Sequence, residues 1–113
     1  MNNVLVTGGC GFIGSHLVDE IKLQHPHIQV TVVDDLRTPG NYKRDDVNYI
    51  HKSIQDPQTV MDLKMHYSFD TIFHLANTPR VRRAIEFPAE TIDNNVTSTT
   101  AVCEIALEHG SHV

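Results

Sequence analysis

The chain has 113 residues, 40% hydrophobic and 20% charged, with a formal net charge of −5. That is the size of one domain with a modest core, and the composition is not that of a disordered chain. The acidic balance argues against nucleic acid or an anionic membrane as the main partner, and no apolar run approaches the length of a transmembrane helix.

Asn3–Thr7 reads as a buried strand that breaks into glycines. Gly11 to about Gln24 reads as a helix with Ile13, Leu17 and Ile21 on one face, stopped by His25-Pro26. Gln29–Asp34 is a second strand, β-branched from Val30 to Val33. Residues 35–46 are polar, contain Pro39-Gly40, and read as a loop. A short strand is expected at Val47–His51. Asp56 can cap a helix that Pro57 opens and that runs to about His66. Thr71–Leu75 is the fourth strand, and the loop 76–87 carries Arg80, Arg82 and Arg83, read either as a diphosphate contact or as a solvated loop. The longest helix is expected from Pro88 to His109, with Ile92, Val96, Thr99, Cys103 and Ala106 on its core face and Gly110 as its stop. Ser111-His112-Val113 reads as the approach to a fifth strand.

The order β-α-β-β-α-β-α predicts an α/β fold: a Rossmann-type parallel sheet, strand order 3-2-1-4, with helices on both faces and an end before strand 5. Val4–Val6 is too short, and lacks the basic leader, for a signal peptide. Cys10 and Cys103 make neither a disulfide framework nor a metal pattern, so a reducing cytoplasm is the expected setting. Cys10 reads as a small filler in the turn, with a thiolate at a helix start as the rival reading. The scattered histidines have no metal-ligand spacing. His109 and His112 flank a helix C-terminus, where positive charge is favourable.

Gly9-Cys10-Gly11-Phe12-Ile13-Gly14 fits Gly-x-G-x-x-G, and Gly8, Gly11 and Gly14 also fit a three-spaced variant. One glycine permits the tight turn out of the strand. Gly11 lets a pyrophosphate approach the backbone, and Gly14 lets the helix pack close to the sheet. The helix start then offers free N–H groups and a positive dipole end to phosphate. Asp34 ends the next strand twenty positions after Gly14. A carboxylate there accepts hydrogen bonds from an adenosine ribose and repels a 2′-phosphate, which favours NAD over NADP. Arg37 could serve such a phosphate if Asp34 turned away. A purely structural turn, with Asp34 and Asp35 as a solvated loop start, is the alternative.

The run Thr7-Gly8-Gly9-Cys10-Gly11-Phe12-Ile13-Gly14-Ser15-His16-Leu17 resembles the opening of the extended short-chain dehydrogenase/reductases, in the nucleotide-sugar epimerase/dehydratase branch. Val32–Leu36, Phe73–Ala76, Val81–Pro88 and Asn94–Thr99 resemble further segments of that family in order. The resemblance implies that residues 1–113 are an NAD-binding Rossmann domain, the N-terminal part of an enzyme that transiently oxidises a sugar hydroxyl. It implies pyrophosphate contacts from Gly8, Gly11, Phe12, Ile13 and Gly14, and an adenosine side held by Asp34, Asp35 and Leu36. Leu75 and Ala76 would pass the nicotinamide half, and Asn95 would orient groups near the reaction centre. Ser53-Ile54 stands where the family has an acid that meets the adenine amino group; serine still accepts one hydrogen bond. Asn77, Ala84 and Ser98 also depart from the family pattern, the last replacing a helix glycine.

The family's general base is a Tyr-x-x-x-Lys pair, with a Ser or Thr beside it. Tyr42, Tyr49 and Tyr67 are followed four residues on by Asp46, Ser53 and Thr71, so no such pair is present. The resemblance therefore leaves no catalytic residue in this chain, which is expected to bind NAD and turn over nothing by itself. Its partner in a full-length protein would be a nucleotide sugar. Family dimers usually use the long helix, which leaves a homodimer open. An open apolar edge at Thr71–Leu75 predicts marginal stability or pairing with another copy. Two other readings are a non-catalytic NAD-binding regulatory module and a non-functional truncated product.

Overall fold

The computed structural model describes residues 1–36, 44–76, 85–86 and 88–113. Expectations for Arg37, Pro39-Gly40, Asn77, Arg80, Arg82, Arg83 and Ala84 lie outside the described residues. The elements are β1 (Asn3–Thr7), α1 (Phe12–Gln24), β2 (Gln29–Val33), β3 (Asn48–Ile50), α2 (Pro57–His66), β4 (Thr71–His74) and α3 (Pro88–His109). The four strands form one sheet in the order β3-β2-β1-β4, and every pair is parallel. This is the Rossmann-type arrangement expected from the sequence.

The register explains why β1 and β2 are almost wholly apolar. Val4 pairs with Val30 and Thr71, and Val6 with Val32 and Phe73. Partners in register share a face, successive residues along each strand point to opposite faces, and both faces are covered. On one side Val4, Val6, Val30 and Val32 pack with Val18, Ile21 and Ile28 under α1. On the other, Leu5, Val33 and Ile72 pack with Val60 and Leu63 of α2 and Val102 and Ile105 of α3.

Two helical faces are turned from their expected positions. On α1 the buried residues are Gly14, Val18, Ile21 and Lys22, while Ile13 is exposed and Leu17 half-buried. On α3 the core face is Ser98, Ala101, Val102 and Ile105. Ile92, Val96, Thr99 and Cys103 are exposed, and Ala106 is partly buried against the core. Each shift is a step of one residue, which turns a helical stripe by about 100°. On α3 the run Ala101-Val102 with Ile105 lies over Leu5 and Ile72, and that packing decides the face. The expectation that Cys103 is a core residue is thereby corrected.

The ends follow local chemistry. The Asp56 carboxylate caps α2 by accepting from the Gln58 N–H at 2.9 Å, and Pro57 occupies the first turn. Gly110, at φ +66°, ends α3 in the left-handed conformation. Beyond it, His112 bridges in parallel to Thr71: the Ile72 N–H donates to the His112 carbonyl at 2.7 Å and the His112 N–H to the Asp70 carbonyl at 2.9 Å. The chain after Gly110 therefore lies along the outer edge of β4, in the direction a fifth parallel strand would take. His109, in the last turn of α3, holds two other segments through its ring. Its Nδ1 accepts from the Phe69 N–H at 3.2 Å and its Nε2 donates to the Lys64 carbonyl at 3.0 Å, joining α2 to the start of β4.

Asp70 ties the start of β1 to β4. Its Oδ2 accepts from the Asn2 and Asn3 N–H groups at 2.7 and 3.0 Å, and its Oδ1 accepts from the Thr71 hydroxyl at 3.0 Å. Burial raises its pKa, but these bonds and the terminal ammonium outweigh it and hold the carboxyl below its ordinary 3.8. A depressed carboxyl contributes stability that is present above the unfolded value and is lost as pH falls through the folded one. Asp70→Asn is therefore expected to flatten the acid limb of the stability curve below pH 3.8 and leave its slope near pH 7 unchanged. Urea unfolding across that range checks this, and an acid limb identical to wild type would count against it.

Candidate functional site

The site forms where β1, β2 and β4 end on the same edge of the sheet, the carboxyl edge at which open α/β folds take ligands. After Thr7 the chain turns through Gly8, at φ +71°, and the Gly8 N–H donates to the Val33 carbonyl at 2.9 Å. A side chain on Gly8 would lie 2.8 Å from the Leu75 carbonyl carbon, so the turn and the exit of β4 touch backbone to backbone. A side chain on Gly14 would collide with the Gly8 carbonyl oxygen and lie 2.8 Å from Gly9 Cα. Helix α1 thus starts directly against the turn.

Gly11 is different. Among the described residues, a Cβ there would meet just the Gly8 carbonyl oxygen, at 3.5 Å, an ordinary contact. Nothing else among them crowds the space above Gly11. Gly11 is also the N-cap of α1 and provides no side-chain cap, and the first turn holds no acidic residue. Among the described residues, the first-turn N–H groups take no side-chain cap from the N-cap position and no acidic residue of the first turn offsets their dipole end. Phe12 and Ile13 beside them are 81% and 70% exposed.

Asp34 leaves β2 beside this turn. Its Oδ2 accepts from the Cys10 N–H at 3.0 Å and its Oδ1 from the Leu36 N–H at 2.8 Å. The carboxylate is half-buried, aimed at the glycine turn, and each oxygen retains an acceptor site. Leu36 takes the left-handed conformation, φ 59°, where the chain folds back onto that carboxylate. Asp35 is exposed. Burial, followed by the charge of Asp34, pushes the Cys10 thiol up to about 11, so it is a protonated filler and the thiolate reading falls.

Leu75 and Ala76 follow β4, both half-buried, with the Leu75 N–H on the Thr7 carbonyl at 3.0 Å. Ser53 and Ile54 follow β3. Ser53 Oγ accepts from the Gln55 N–H at 3.1 Å, and the Ile54 side chain is turned into the core beneath α2 and α3. Ser98, in place of the family's glycine, is 3% exposed and takes a 3.4 Å bond from Gln55 Nε2. Asn95 lies on α3, where its carbonyl accepts from the Thr99 hydroxyl at 2.9 Å.

The structure therefore gathers Gly8, Gly11, Phe12, Ile13, Gly14, Asp34, Leu36, Leu75 and Ala76 around the end of β1. Ser53 and Ile54 lie at the end of β3. His74 lies in the Phe73–Ala76 run picked out from the sequence, which gave it no role of its own, and its ring bonds to both Thr7 and Thr99. Its place on the last residue of β4, opposite Thr7 in register, is the signal that could have found it. A separate cavity of about 760 Å³ opens at the other, amino edge of the sheet. The buried Lys22 on its wall is committed to the Pro26 and Ile28 carbonyls. Among the described residues, no helix is long and apolar enough to cross a membrane.

Known proteins share this arrangement. The chain is 36% identical over 106 residues to a UDP-glucose 4-epimerase of Halalkalibacterium halodurans, spanning 94% of this chain and 31% of that one. It is 33% identical over 115 residues to a dTDP-glucose 4,6-dehydratase of Salmonella typhimurium, spanning 96% and 32%. The crystal structure of a Thermus thermophilus UDP-glucose 4-epimerase in complex with NAD superposes with a TM-score of 0.86 at 27% identity, over 96% of this chain and 34% of that one. The chain spans about a third of the length of these relatives. Residues 4–113 match the model of the NAD dependent epimerase/dehydratase family. With the glycine turn, the acid after β2 and the parallel sheet all in register with that match, this chain belongs to the NAD dependent epimerase/dehydratase family.

Proposed function

We propose that residues 1–113 bind NAD as the cofactor portion of a nucleotide-sugar epimerase or dehydratase, which works by transient oxidation of a sugar hydroxyl. The observation that carries this is the pairing of a bare, uncapped helix start at Gly11 with the Asp34 carboxylate held on the Cys10 N–H. The first-turn amides of α1 would take the pyrophosphate, with Gly11 giving the clearance. The free acceptor sites of Asp34 would take the adenosine ribose hydroxyls, with Leu36 beside them, and Ser53 and Ile54 would border the adenine. Leu75, Ala76 and Asn95 would line the nicotinamide half.

NAD, when bound, supplies an acceptor for hydride that can also return it. These residues orient it. The Tyr-x-x-x-Lys pair that serves the family as proton donor and acceptor is not among them, so this portion contributes binding. Both cysteines are free thiols, which suits the reducing cytoplasm expected from the sequence.

Calorimetric titration of the chain with NAD and then NADP tests the reading. NAD is expected to bind, and at least about tenfold more tightly than NADP, because a carboxylate at Asp34 opposes a 2′-phosphate. Tighter binding of NADP would overturn the assignment of Asp34, and no heat with either would overturn the cofactor reading itself.

A further inference from the structure

The bonds around His74 leave its ring one arrangement. Thr99 Oγ1 lies 2.9 Å from the Asn95 carbonyl oxygen, which can only accept, so the single hydroxyl proton of Thr99 is committed there. Thr99 Oγ1 can then only accept from His74 Nε2, at 3.2 Å, and Nε2 must carry a proton. On the other side, the Ala76 N–H points at Thr7 Oγ1 from 3.3 Å, and the Leu75 N–H is shared between Thr7 Oγ1 at 3.1 Å and the Thr7 carbonyl at 3.0 Å. With Nε2 protonated, a neutral ring leaves Nδ1 bare, and the Thr7 hydroxyl donates to it at 2.7 Å while accepting from these amides. The Thr99 end assigns the proton to Nε2, and the bonds at the Thr7 end fit the same neutral tautomer.

The result is one directed chain of hydrogen bonds. It runs from the Leu75 and Ala76 amides through Thr7, the His74 ring and Thr99 to the Asn95 carbonyl. Thr7 is fully buried, so water does not replace a lost member at that end. The chain starts one residue before Gly8, the residue whose backbone touches both Leu75 and Gly14. It ends at Asn95, one turn before Thr99 on α3.

We infer that His74 is a positioning residue for the phosphate turn, a neutral ring with its proton on Nε2 that ties Thr7 and Gly8 to α3 at Thr99 and Asn95. The geometry stands by itself, while the consequence for ligand affinity rests on the NAD-binding reading. A proton on Nδ1 would compete with the Leu75 and Ala76 amides for the Thr7 hydroxyl oxygen and disturb the Thr7 end. Burial lowers the ring's pKa, in keeping with a neutral imidazole. β1 carries no titratable side chain across Asn3–Thr7, and Asp70 lies before the far end of β4. The two α3 residues in the chain of bonds, Thr99 and Asn95, are uncharged, with Cys103 one turn beyond.

Histidine-labelled full chain, examined by two-bond ¹H–¹⁵N correlation at neutral pH, reads the tautomer directly without any substitution. The proton is expected on Nε2 of His74; a proton on Nδ1, or on both nitrogens, overturns the inference. Two variants read the consequence. Thr7→Ser keeps the hydroxyl and should hold NAD affinity within about twofold of wild type, whereas Thr7→Val should weaken it about tenfold. Thr7→Val should also speed hydrogen exchange at the Leu75 and Ala76 amides. Should Thr7→Val fail to fold, His74→Asn replaces it, keeping an acceptor near Thr7 but not the reach to Thr99, and should weaken NAD by several-fold. Wild-type affinity and unchanged exchange in these variants would overturn the positioning role. A wild-type chain that ignores NAD sinks the cofactor reading alone, and the tautomer and exchange results then decide this inference.

Discussion

Gly14→Ala is expected to weaken NAD binding about a hundredfold and to cost the unliganded chain about 2–3 kcal/mol, the upper end of what overpacking does. The added methyl would collide with the Gly8 carbonyl and crowd Gly9 Cα, which are backbone atoms and cannot rotate away. Either α1 lifts from the sheet or the turn deforms, and both displace the N–H groups aimed at the phosphate site. Gly11→Ala separates the two effects. Its methyl meets one atom at 3.5 Å, and the backbone there, at φ −73°, accepts any residue. That variant should melt within a degree or two of wild type, since surface changes of this kind stay within about ±0.5 kcal/mol. It should still bind NAD at least about tenfold less tightly, because the methyl stands where the pyrophosphate is expected. Thermal unfolding and calorimetry on the pair check this. Equal NAD affinity in Gly11→Ala and wild type would mean that the space above Gly11 is not the phosphate site.

Asp34→Ala carries the second large effect, because the carboxylate has two duties. Within the fold it accepts from the Cys10 and Leu36 N–H groups. Removing it leaves two partly buried donors without that partner, at about 1–2 kcal/mol of stability. Toward ligand it would lose the ribose contacts as well, so NAD affinity should fall about a hundredfold and the preference over NADP should narrow to about twofold. Asp34→Asn is the intermediate case. Its one carbonyl oxygen can satisfy only one of the two amides, while its NH₂ opposes the other. Calorimetry with both dinucleotides, beside urea unfolding, resolves the two duties. A variant that loses stability but keeps its NAD preference would assign Asp34 to the turn alone.

Element order, strand order and the glycine turn were legible because each rests on local chemistry. Val30 to Val33 is β-branched and apolar on both sides, and only a covered parallel strand accommodates that. Asp56-Pro57 caps and opens a helix whatever surrounds it. The faces of α1 and α3 were not legible, since either helix offers two apolar stripes one residue apart and tertiary packing chooses between them. Ile92 and Val96 satisfy helical periodicity as well as Val102 and Ile105 do, and only the second pair lies over Leu5. Within the site, Gly14 and Asp34 could be placed from spacing alone. The Asp34 bond to Cys10 and the ring of His74 could not, because both join segments far apart in the chain and depend on register.

The Cys10 thiol has a further consequence. Peroxide and disulfide exchange attack the thiolate, and a thiol held at about 11 offers very little of it at neutral pH. The carboxylate that fixes the glycine turn also helps to keep its cysteine protonated and inert. Cys103 is exposed on α3, within reach of an oxidant in solution. Oxidative stress should therefore mark the outer helix first and leave the nucleotide turn chemically intact, so damage at this thiol pair reports on the surface of the domain before it reaches the site.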